Sequence, residues 1–371
     1  MSSPTNAPLT YEQAGVNYDL IDPLKVAAQR AAAQTGANLA MHGFSEVAAS
    51  RGESAYVVDI GIMYLASIVE CLGTKTLVAD DMAKLTGTSY FDSIAQDTIA
   101  MAVNDLITVG ATPLVVQAYW AAGGSDWFKD ADRANALVAG WKKACDTCRV
   151  SWGGGETPAL AGIVADGRAD LAASCTGIVN PKSRLTLGEK LGAGDAIVLL
   201  ASSGIHANGL SLARKLAERL PKGLLTPLDN GQTYGEALLA PTTLYSPVTE
   251  ALAAAGIVPH YSANITGHGW RKLMRHPKAL RYVIDKVPAK TAVLEFMQRE
   301  CGLDDHEAYG TLNMGAGFAL YLDAKDAERA VQIAEECGVE AMVAGHIEAG
   351  EKSVVIQPLG VEFGGAELQL R

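Results

Sequence analysis

Apolar and polar positions alternate along the first half of the chain in two different periods. Strands are predicted for the β-branched and aromatic runs at residues 55–60, 64–70, 114–120 and 171–179. Helices are predicted for the alanine-rich or three-and-four-spaced patterns at residues 23–35, 93–109 and 130–148. In the helix at 93–109, Ile94, Ile99, Met101 and Leu106 are available to a buried face.

The second half of the chain shows the same mixture. A change of composition at residues 180–182 predicts a domain boundary, with an N-terminal domain over 1–180 and a C-terminal domain over 181–371. The predicted elements are strands at 195–201, after 312–318, at 339–347 and at 353–357, helices after Asn208 and at 245–255, and a turn at 266–269. Two domains of α+β or α/β class are therefore expected.

Composition narrows the functional class. The chain has 371 residues, of which 49% are hydrophobic, and its net charge is −11. No clustered basic face is visible, which argues against a nucleic-acid partner. No apolar run is long enough to span a membrane, and the first residues do not form a secretory signal. Six cysteines in a chain of this length do not indicate a disulfide framework, so we expect a cytoplasmic enzyme.

Cys145 and Cys148 form a C-x-x-C pair on a predicted helix. They share a helical face with Trp141, which favours buried thiols. A zinc site would need two further ligands at matching spacing, and none lies nearby in the sequence.

Carboxylates recur beside glycine-rich turns or within one helix. They are Glu70, Asp97, Asp105 and Glu156. Several acids with one lysine, Lys75, suit a polyphosphate only if divalent cations such as Mg²⁺ lie between them, because hard cations take oxygen ligands. The pattern therefore predicts an enzyme that uses ATP and Mg²⁺.

Two glycine-containing segments are candidates for the nucleotide site. Gly73, Thr74 and Lys75 follow a strand, where backbone amides can cradle phosphate oxygens, although the spacing is not that of a Walker loop and a plain surface turn is the alternative. Gly154 and Gly155 precede Glu156 and Thr157. Consecutive glycines cost backbone entropy, which a buried carboxylate facing a metal would justify, and a simple tight turn is the alternative.

One predicted helix carries three polar candidates. Asp97, Asn104 and Asp105 lie on one side of it together with Met101, by the three-and-four spacing of helical neighbours. The flanking residues are mostly apolar, so we expect these groups to point into a partly apolar site and not to be spread over solvent.

A candidate substrate loop follows the strand at 195–201. Ser203, Gly204, His206 and Asn208 lie between a strand and a helix, where ligands gather in α/β folds. The helix N-terminus offers free amides to an anion such as a sugar phosphate. His206 is either a catalytic group or a capping or buried structural histidine.

Read in order, these segments resemble the aminoimidazole ribonucleotide synthetases, formally phosphoribosylformylglycinamidine cyclo-ligases. The matching segments are Tyr11…Ala14-Gly15-Val16, Gly73-Thr74-Lys75, residues 97–105 and 110–114, Gly154-Gly155-Glu156-Thr157, residues 202–209 and 239–242, Thr266-Gly267 and residues 311–317. Their order and spacing cover nearly the whole chain.

The resemblance implies a two-domain subunit whose N-terminal domain forms a β-barrel across a homodimer, with a C-terminal α/β domain closing over the substrate. It implies that Glu70, Asp97, Asp105 and Glu156 hold metal and nucleotide, that Gly73, Thr74 and Lys75 face the phosphates, and that Asn104, Gly154, Gly155 and Thr157 belong to the same nucleotide site. It also implies that Lys75, Asp97, Asp105 and His206 serve catalysis, and that Ser203, Gly204, His206, Asn208, Thr266 and Gly267 bind substrate.

The implied reaction converts formylglycinamidine ribonucleotide and ATP into aminoimidazole ribonucleotide, ADP and phosphate in purine synthesis. Phosphorylation of the formyl oxygen would give an iminophosphate, and attack by the amidine nitrogen would expel phosphate and close the ring. No protein nucleophile is needed, so positioning and charge neutralisation carry most of the rate.

The chain departs from the family pattern in two segments, Glu70-Cys71-Leu72-Gly73-Thr74-Lys75 and Asn264-Ile265-Thr266-Gly267-His268-Gly269. Glu70 stands where the family has Asp in D-G-V-G-T-K, Asn264 stands in place of a His, and His268 in place of a Gly. The alternative is therefore another ATP-dependent superfamily member, a small-molecule kinase or synthetase with a different acceptor. Selenophosphate synthetases need a reactive cysteine near the N-terminus, whereas the first cysteine here is Cys71. Thiamine-monophosphate kinases share the acidic site, but residues 203–209 fit the cyclo-ligases better.

The remaining hypothesis is a catalytically silent homologue that only binds nucleotide or partners. It would have little need of Lys75, Asp97, Asp105 and Glu156 together.

Overall fold

The computed structural model describes residues 18–368, with side chains from residue 23 onwards. The Tyr11, Ala14, Gly15 and Val16 motif lies outside the described residues. The first element is helix α1, Tyr18–Thr35, which includes the helix predicted at 23–35 and begins before it.

The first sheet contains the strands that lie between residues 18 and 180. Its strands are β1 (Ser45–Glu46), β2 (Tyr56–Asp59), β3 (Tyr64–Cys71), β4 (Thr112–Ala122), β5 (Ser151–Glu156) and β6 (Ala169–Val179). Their spatial order is β1-β2-β3-β6-β4-β5, and the neighbours are antiparallel except β4 and β5, which are parallel. The four strands predicted from the sequence are all confirmed.

Helices cover one face of this sheet. They are α2 (Lys75–Thr86), α3 (Phe91–Leu106) and α4 (Ala131–Cys148). α3 packs against β3, β6 and α4, and it buries Ile94, Ile99 and Leu106 as predicted. On β6 the alternate residues Leu171 and Ala173 are buried beneath this layer, as the period of two in a strand requires.

The second sheet forms the core of the C-terminal half. Its strands are β7 (Asp195–Ala201), β8 (Tyr261–Asn264), β9 (Leu280–Ile284), β10 (Ala316–Asp323), β11 (Ala341–Ala349), β12 (Ser353–Ile356) and β13 (Val361–Gly364). The order is β13-β12-β9-β11-β7-β10-β8, mostly antiparallel, with β9 and β12 parallel. β7 lies inside the sheet and is buried from Asp195 to Leu200, which explains its unbroken apolar run.

Six helices complete this half. They are α5 (Leu210–Arg219), α6 (Tyr234–Leu238), α7 (Ser246–Ala254), α8 (Ala292–Cys301), α9 (Asp305–Thr311) and α10 (Ala327–Glu336). The predicted helices after Asn208 and at 245–255 are confirmed as α5 and α7. Nowhere in residues 18–368 is a helix both long enough and apolar enough to cross a bilayer.

The glycine segment before Glu156 forms an edge strand and not a turn or a buried acidic loop. Gly154 and Gly155 lie in β5 beside β4, and Glu156 is exposed. A Cβ atom on Gly155 would lie 2.1 Å from the carbonyl oxygen of Ala118 on β4. The glycine therefore permits close approach of two backbones, a need that the sequence did not reveal.

The cysteines confirm the structural interpretation of the C-x-x-C pair. All six are free thiols, and Cys145 and Cys148 are buried on α4. Burial raises the pKa of Cys145 to about 12 and that of Cys148 to about 11. Thiols held protonated in this way are poor nucleophiles and poor metal ligands.

Candidate functional site

A cavity of about 400 Å³ lies between the two domains, beside the end of β3 and the end of α3. Five residues predicted from the sequence line it, namely Glu70, Asp105, Asn208, Thr266 and Gly267. A volume of this size is typical of a small-molecule site. The structure therefore brings carboxylates of the first domain and loops of the second to one place.

Glu70 and Asp105 form the acidic wall of the cavity. Burial, and next the neighbouring charge of Asp105, raise the pKa of Glu70 to about 7. Asp105 Oδ1 accepts a hydrogen bond of 2.8 Å from Asn264 Nδ2. Within the described residues, no hydrogen bond reaches the Glu70 carboxylate or the second oxygen of Asp105. Two close carboxylates with oxygens to spare fit a divalent cation, which takes oxygen ligands.

Asn208 and the turn at 266–267 form the adjoining wall. The Gly267 amide donates a hydrogen bond of 3.1 Å to Asn208 Oδ1. This contact fixes the orientation of the Asn208 side chain and leaves its NH₂ group available to a ligand. The substrate loop and the turn are thus joined at the cavity.

Cations line the cavity as well, and the sequence reasoning missed them. Lys25, Lys272 and Arg275 are all lining residues. Arg275 Nη2 donates to the Gly52 carbonyl oxygen at 2.9 Å, and its guanidinium lies 3.5 Å from Glu53. The sequence feature that could have indicated Lys272 and Arg275 is the presence of three basic residues within 271–275, shortly after the turn at Thr266.

Asp97 and Lys75 do not line this cavity. They form an ion pair of 2.8 Å with both side chains fully buried. Lys75 Nζ also donates to the Ala240 carbonyl oxygen at 2.8 Å, and Asp97 Oδ1 accepts from the amide and hydroxyl of Thr242. Burial lowers the pKa of Lys75 and raises that of Asp97, while their mutual attraction opposes both shifts. Contrary to the sequence prediction, this pair faces a protein loop.

That loop, residues 240–245, is called here the interdomain strap. Asn104 Nδ2 donates to the Thr243 carbonyl oxygen at 2.8 Å, and the Tyr245 amide donates to Asn104 Oδ1 at 3.1 Å. Gln96 Nε2 donates to the Thr242 carbonyl oxygen. The polar stripe of α3 that was predicted to hold nucleotide therefore holds the second domain.

His206 is buried behind the substrate loop, outside the residues that line the cavity. Its Nε2 accepts a hydrogen bond of 3.2 Å from the Ser203 amide, and its backbone has a positive φ of 60°. Burial, with a smaller effect of Lys75, lowers its pKa to about 3. Ser203 Oγ donates to the Pro241 carbonyl oxygen of the strap. These contacts match the structural interpretation of His206.

Glu156 lies on the other face of the first sheet from Glu70. Two adjacent rows of paired residues cross the sheet from β3 through β6 and β4 to β5. The row that starts at Glu70 ends at Gly155, and the row that starts at Cys71 ends at Glu156. Adjacent residues of a strand point to opposite faces, and three strand spacings amount to about 14 Å. One chain therefore does not bring Glu156, or its neighbours Gly154, Gly155 and Thr157, to the Glu70 cavity.

Gly73 and Thr74 also lie apart from the cavity lining. Gly73 is exposed with a φ of 77°, and Thr74 precedes the first residue of α2. The sequence prediction of a turn after β3 is thus confirmed, while its contact with phosphate stays a prediction.

Family models match both halves of the chain. The model for the N-terminal domain of AIR synthase related proteins covers residues 52–179, and the model for their C-terminal domain covers residues 192–357. The chain belongs to the AIR synthase related family.

Relatives within this family are similar over most of their length. A phosphoribosylformylglycinamidine cyclo-ligase from Sorangium cellulosum is 34% identical over 91% of this chain and 95% of its own. Another from Methanocaldococcus jannaschii is 35% identical over 79% of this chain and 81% of its own. The solved structure of a hydrogenase maturation protein, HypE, in complex with ATP has a TM-score of 0.57 at 19% identity, over 81% of this chain and 83% of that one. That last likeness shows the fold.

Three of the departures from the AIR synthase pattern lie at the cavity. Glu70 and His268 line it, and Asn264 donates to Asp105. Glu70 keeps the charge of the family's aspartate but extends it by one methylene. Asn264 supplies a neutral donor where the family has a histidine.

Proposed function

We propose that this protein catalyses the ATP-dependent ring closure of formylglycinamidine ribonucleotide to aminoimidazole ribonucleotide, with release of ADP and phosphate. The observation that carries the proposal is the convergence of Glu70, Asp105, Asn208 and the 266–267 turn on one cavity. The similarity to curated cyclo-ligases over nearly the full chain supports it.

In this proposal Glu70 and Asp105 are the residues that hold Mg²⁺. When bound, the metal would neutralise phosphate charge and polarise the phosphoryl group that is transferred. The two carboxylates supply the oxygen ligands, and Asn264 keeps Asp105 oriented through its 2.8 Å hydrogen bond. A structural neighbour solved with ATP supports a nucleotide in this fold.

The residues of the second domain position the substrate. Asn208, Thr266 and Gly267 face the cavity, and Ser203, Gly204 and His206 shape the loop that carries Asn208. The formyl oxygen takes the γ-phosphoryl group as ADP leaves. The amidine nitrogen then attacks the formyl carbon, and phosphate leaves as the ring closes. The protein contributes orientation and exclusion of water, and no side chain becomes covalently linked.

The same proposal includes a homodimer formed by the open face of the first sheet. Val69, which is 69% exposed, lies on that face in register with Ser174 and Gln117. Glu156 lies on the same face. A partner subunit packed there would build the barrel that the family resemblance implies and would cover exposed apolar side chains. The six free thiols agree with a reducing, cytoplasmic location.

The test is direct. Purified protein is incubated with formylglycinamidine ribonucleotide, ATP and Mg²⁺, and the aminoimidazole product and ADP are quantified by mass spectrometry. We expect equal amounts of both, and none of either when the substrate is omitted. ADP formation without the aminoimidazole product would refute the proposal.

A second function, phosphoryl transfer to another small acceptor in the same cavity, is favoured by the position of three of the departures from the family pattern. Glu70, Asn264 and His268 all lie at or against the cavity, where they would alter the acceptor and leave the fold unchanged. ATP consumption with other small acceptors, in the absence of ring closure, would select this function.

A further inference from the structure

Lys272 is a buried cation at the cavity whose charge has no partner in the described chain. It lies in the 3₁₀ helix Gly269–Met274, is 9% exposed and lines the cavity. Within residues 18–368 its ammonium group makes neither a hydrogen bond nor an ion pair. Arg275 beside it differs, since Arg275 contacts Gly52 and Glu53.

A largely buried ammonium group without a hydrogen-bond acceptor destabilises a folded protein, because it has lost part of its hydration without a compensating partner. Burial, and next Arg275, lower the pKa of Lys272 to about 8, while Asp105 and Glu70 act in the opposite direction. The two acids share its cavity but lie beyond ion-pair distance, so they do not satisfy its donors. Such a group is explained if a ligand supplies the missing acceptors.

We propose that Lys272 binds phosphoryl oxygens of the ligand held in this cavity, which it lines together with Glu70 and Asp105. The inference rests on the proposed function, in which both reactants carry phosphate: ATP as a polyphosphate and the ribonucleotide as a phosphomonoester. A lysine ammonium suits this role, because it is a compact charge with three donors. Glu70 and Asp105 would then hold the phosphate through cations, and Lys272 would contact it directly.

The key variant is Lys272→Met, which keeps the length of the side chain and removes its charge. Lys272→Arg keeps the charge with a different shape. Lys222→Met is the matched control, since Lys222 is exposed in the same domain. Binding of inorganic phosphate and pyrophosphate is measured by thermal shift, and KM is measured separately for ATP and for the ribonucleotide.

We expect Lys272→Met to weaken pyrophosphate or phosphate binding by about 10- to 100-fold, the effect of losing one charged hydrogen bond, while Lys222→Met binds as the unchanged protein does. A rise in KM confined to ATP identifies the polyphosphate as the ligand of Lys272. A rise confined to the ribonucleotide identifies its phosphomonoester. We also expect the ligand-free Lys272→Met protein to melt at the same temperature as the unchanged protein or higher, because a buried charge has been removed.

The inference is overturned if Lys272→Met binds both anions as tightly as the unchanged protein and leaves both KM values unaltered. It is also overturned if the variant melts well below the unchanged protein without any loss of anion binding, since Lys272 would then be structural. If Lys272→Met does not fold, the test uses Lys272→Arg. A thermal shift of Lys272→Arg by phosphate or pyrophosphate supports the inference, and the absence of any shift opposes it. Anion binding is measured without turnover, so a protein that forms no aminoimidazole product would refute the proposed function and leave Lys272 testable.

Discussion

Asp105 shows how one position on a helix decides what a carboxylate does. With 3.6 residues per turn, Asn104 lies within about 20° of Asp97 around α3, whereas Asp105 lies about 80° away. Asp97 and Asn104 therefore face the interdomain strap, and Asp105 faces the cavity beside Met101. The sequence pattern placed Asp97, Met101, Asn104 and Asp105 on one side of α3. In the structure that side is divided between the interdomain strap and the cavity.

We expect Asp105→Asn to lower ATP turnover by about tenfold or more at limiting Mg²⁺, because it removes a charged oxygen ligand from the cavity. Turnover is measured as a function of Mg²⁺ concentration. Asp229→Asn, a change at an exposed position, is the control. An unchanged rate at limiting Mg²⁺ would remove Asp105 from the metal site.

His206 gives a pH-dependent prediction of stability. Its pKa falls from 6.5 to about 3 on folding, so the unfolded chain binds the proton more readily than the folded protein between those values. The contribution of a neutral His206 is therefore present above pH 6.5 and is lost as the pH decreases, by at most about 1.4 kcal/mol per pH unit.

We expect His206→Asn, which tolerates the positive φ, to show a flatter loss of stability between pH 6.5 and pH 4 than the unchanged protein. Chemical denaturation at several pH values measures this. His42→Asn, at an exposed histidine, should retain the original slope. Parallel curves for His206→Asn and the unchanged protein would contradict the assignment.

At the scale of elements, α2 and α3 contact the second domain through hydrogen bonds to the strap. Lys75 begins α2, and its ammonium group reaches both Asp97 and the Ala240 carbonyl oxygen. Lys75, which the sequence pattern places in a phosphate cradle, therefore also joins the two domains. The sequence could not distinguish the two uses, because the loop that accepts these bonds is 165 residues away from Lys75.

We expect Lys75→Met to lower the free energy of unfolding by about 3–5 kcal/mol, because it leaves the Asp97 charge buried without its partner. The double variant Lys75→Met, Asp97→Asn should recover part of this loss, and denaturant unfolding of the two variants measures the coupling. A Lys75→Met protein of unchanged stability but raised KM for ATP would instead assign Lys75 to the phosphates.

At the scale of the whole molecule, the helices that residues 18–368 pack on the first sheet leave its other face open. Helices α3 and α4 pack on the opposite side, and Val69 on the open face is exposed. Glu156 lies on that open face as well, so its predicted role in the nucleotide site would depend on how a second subunit packs there.

We expect Val69→Lys to convert the proposed homodimer into a monomer, because a charge would be buried in the proposed interface. Light scattering after size-exclusion chromatography measures the mass in solution. Val138→Lys, at an exposed valine on α4, is the matched control and should leave the mass unchanged. A dimer that survives Val69→Lys would place the interface elsewhere.

The sequence by itself determined four strands and three helices of the first half, β7, α5 and α7 of the second half, buried positions of α3 and the family, because periodic burial and local turn chemistry are written into neighbouring residues. Only the tertiary structure decided which acids share a cavity. Glu70 and Asp105 meet there with Lys272, whereas Asp97 pairs with Lys75 and Glu156 faces away. These outcomes depend on strand register, on helix rotation and on contacts between residues far apart in the chain, which no local pattern records.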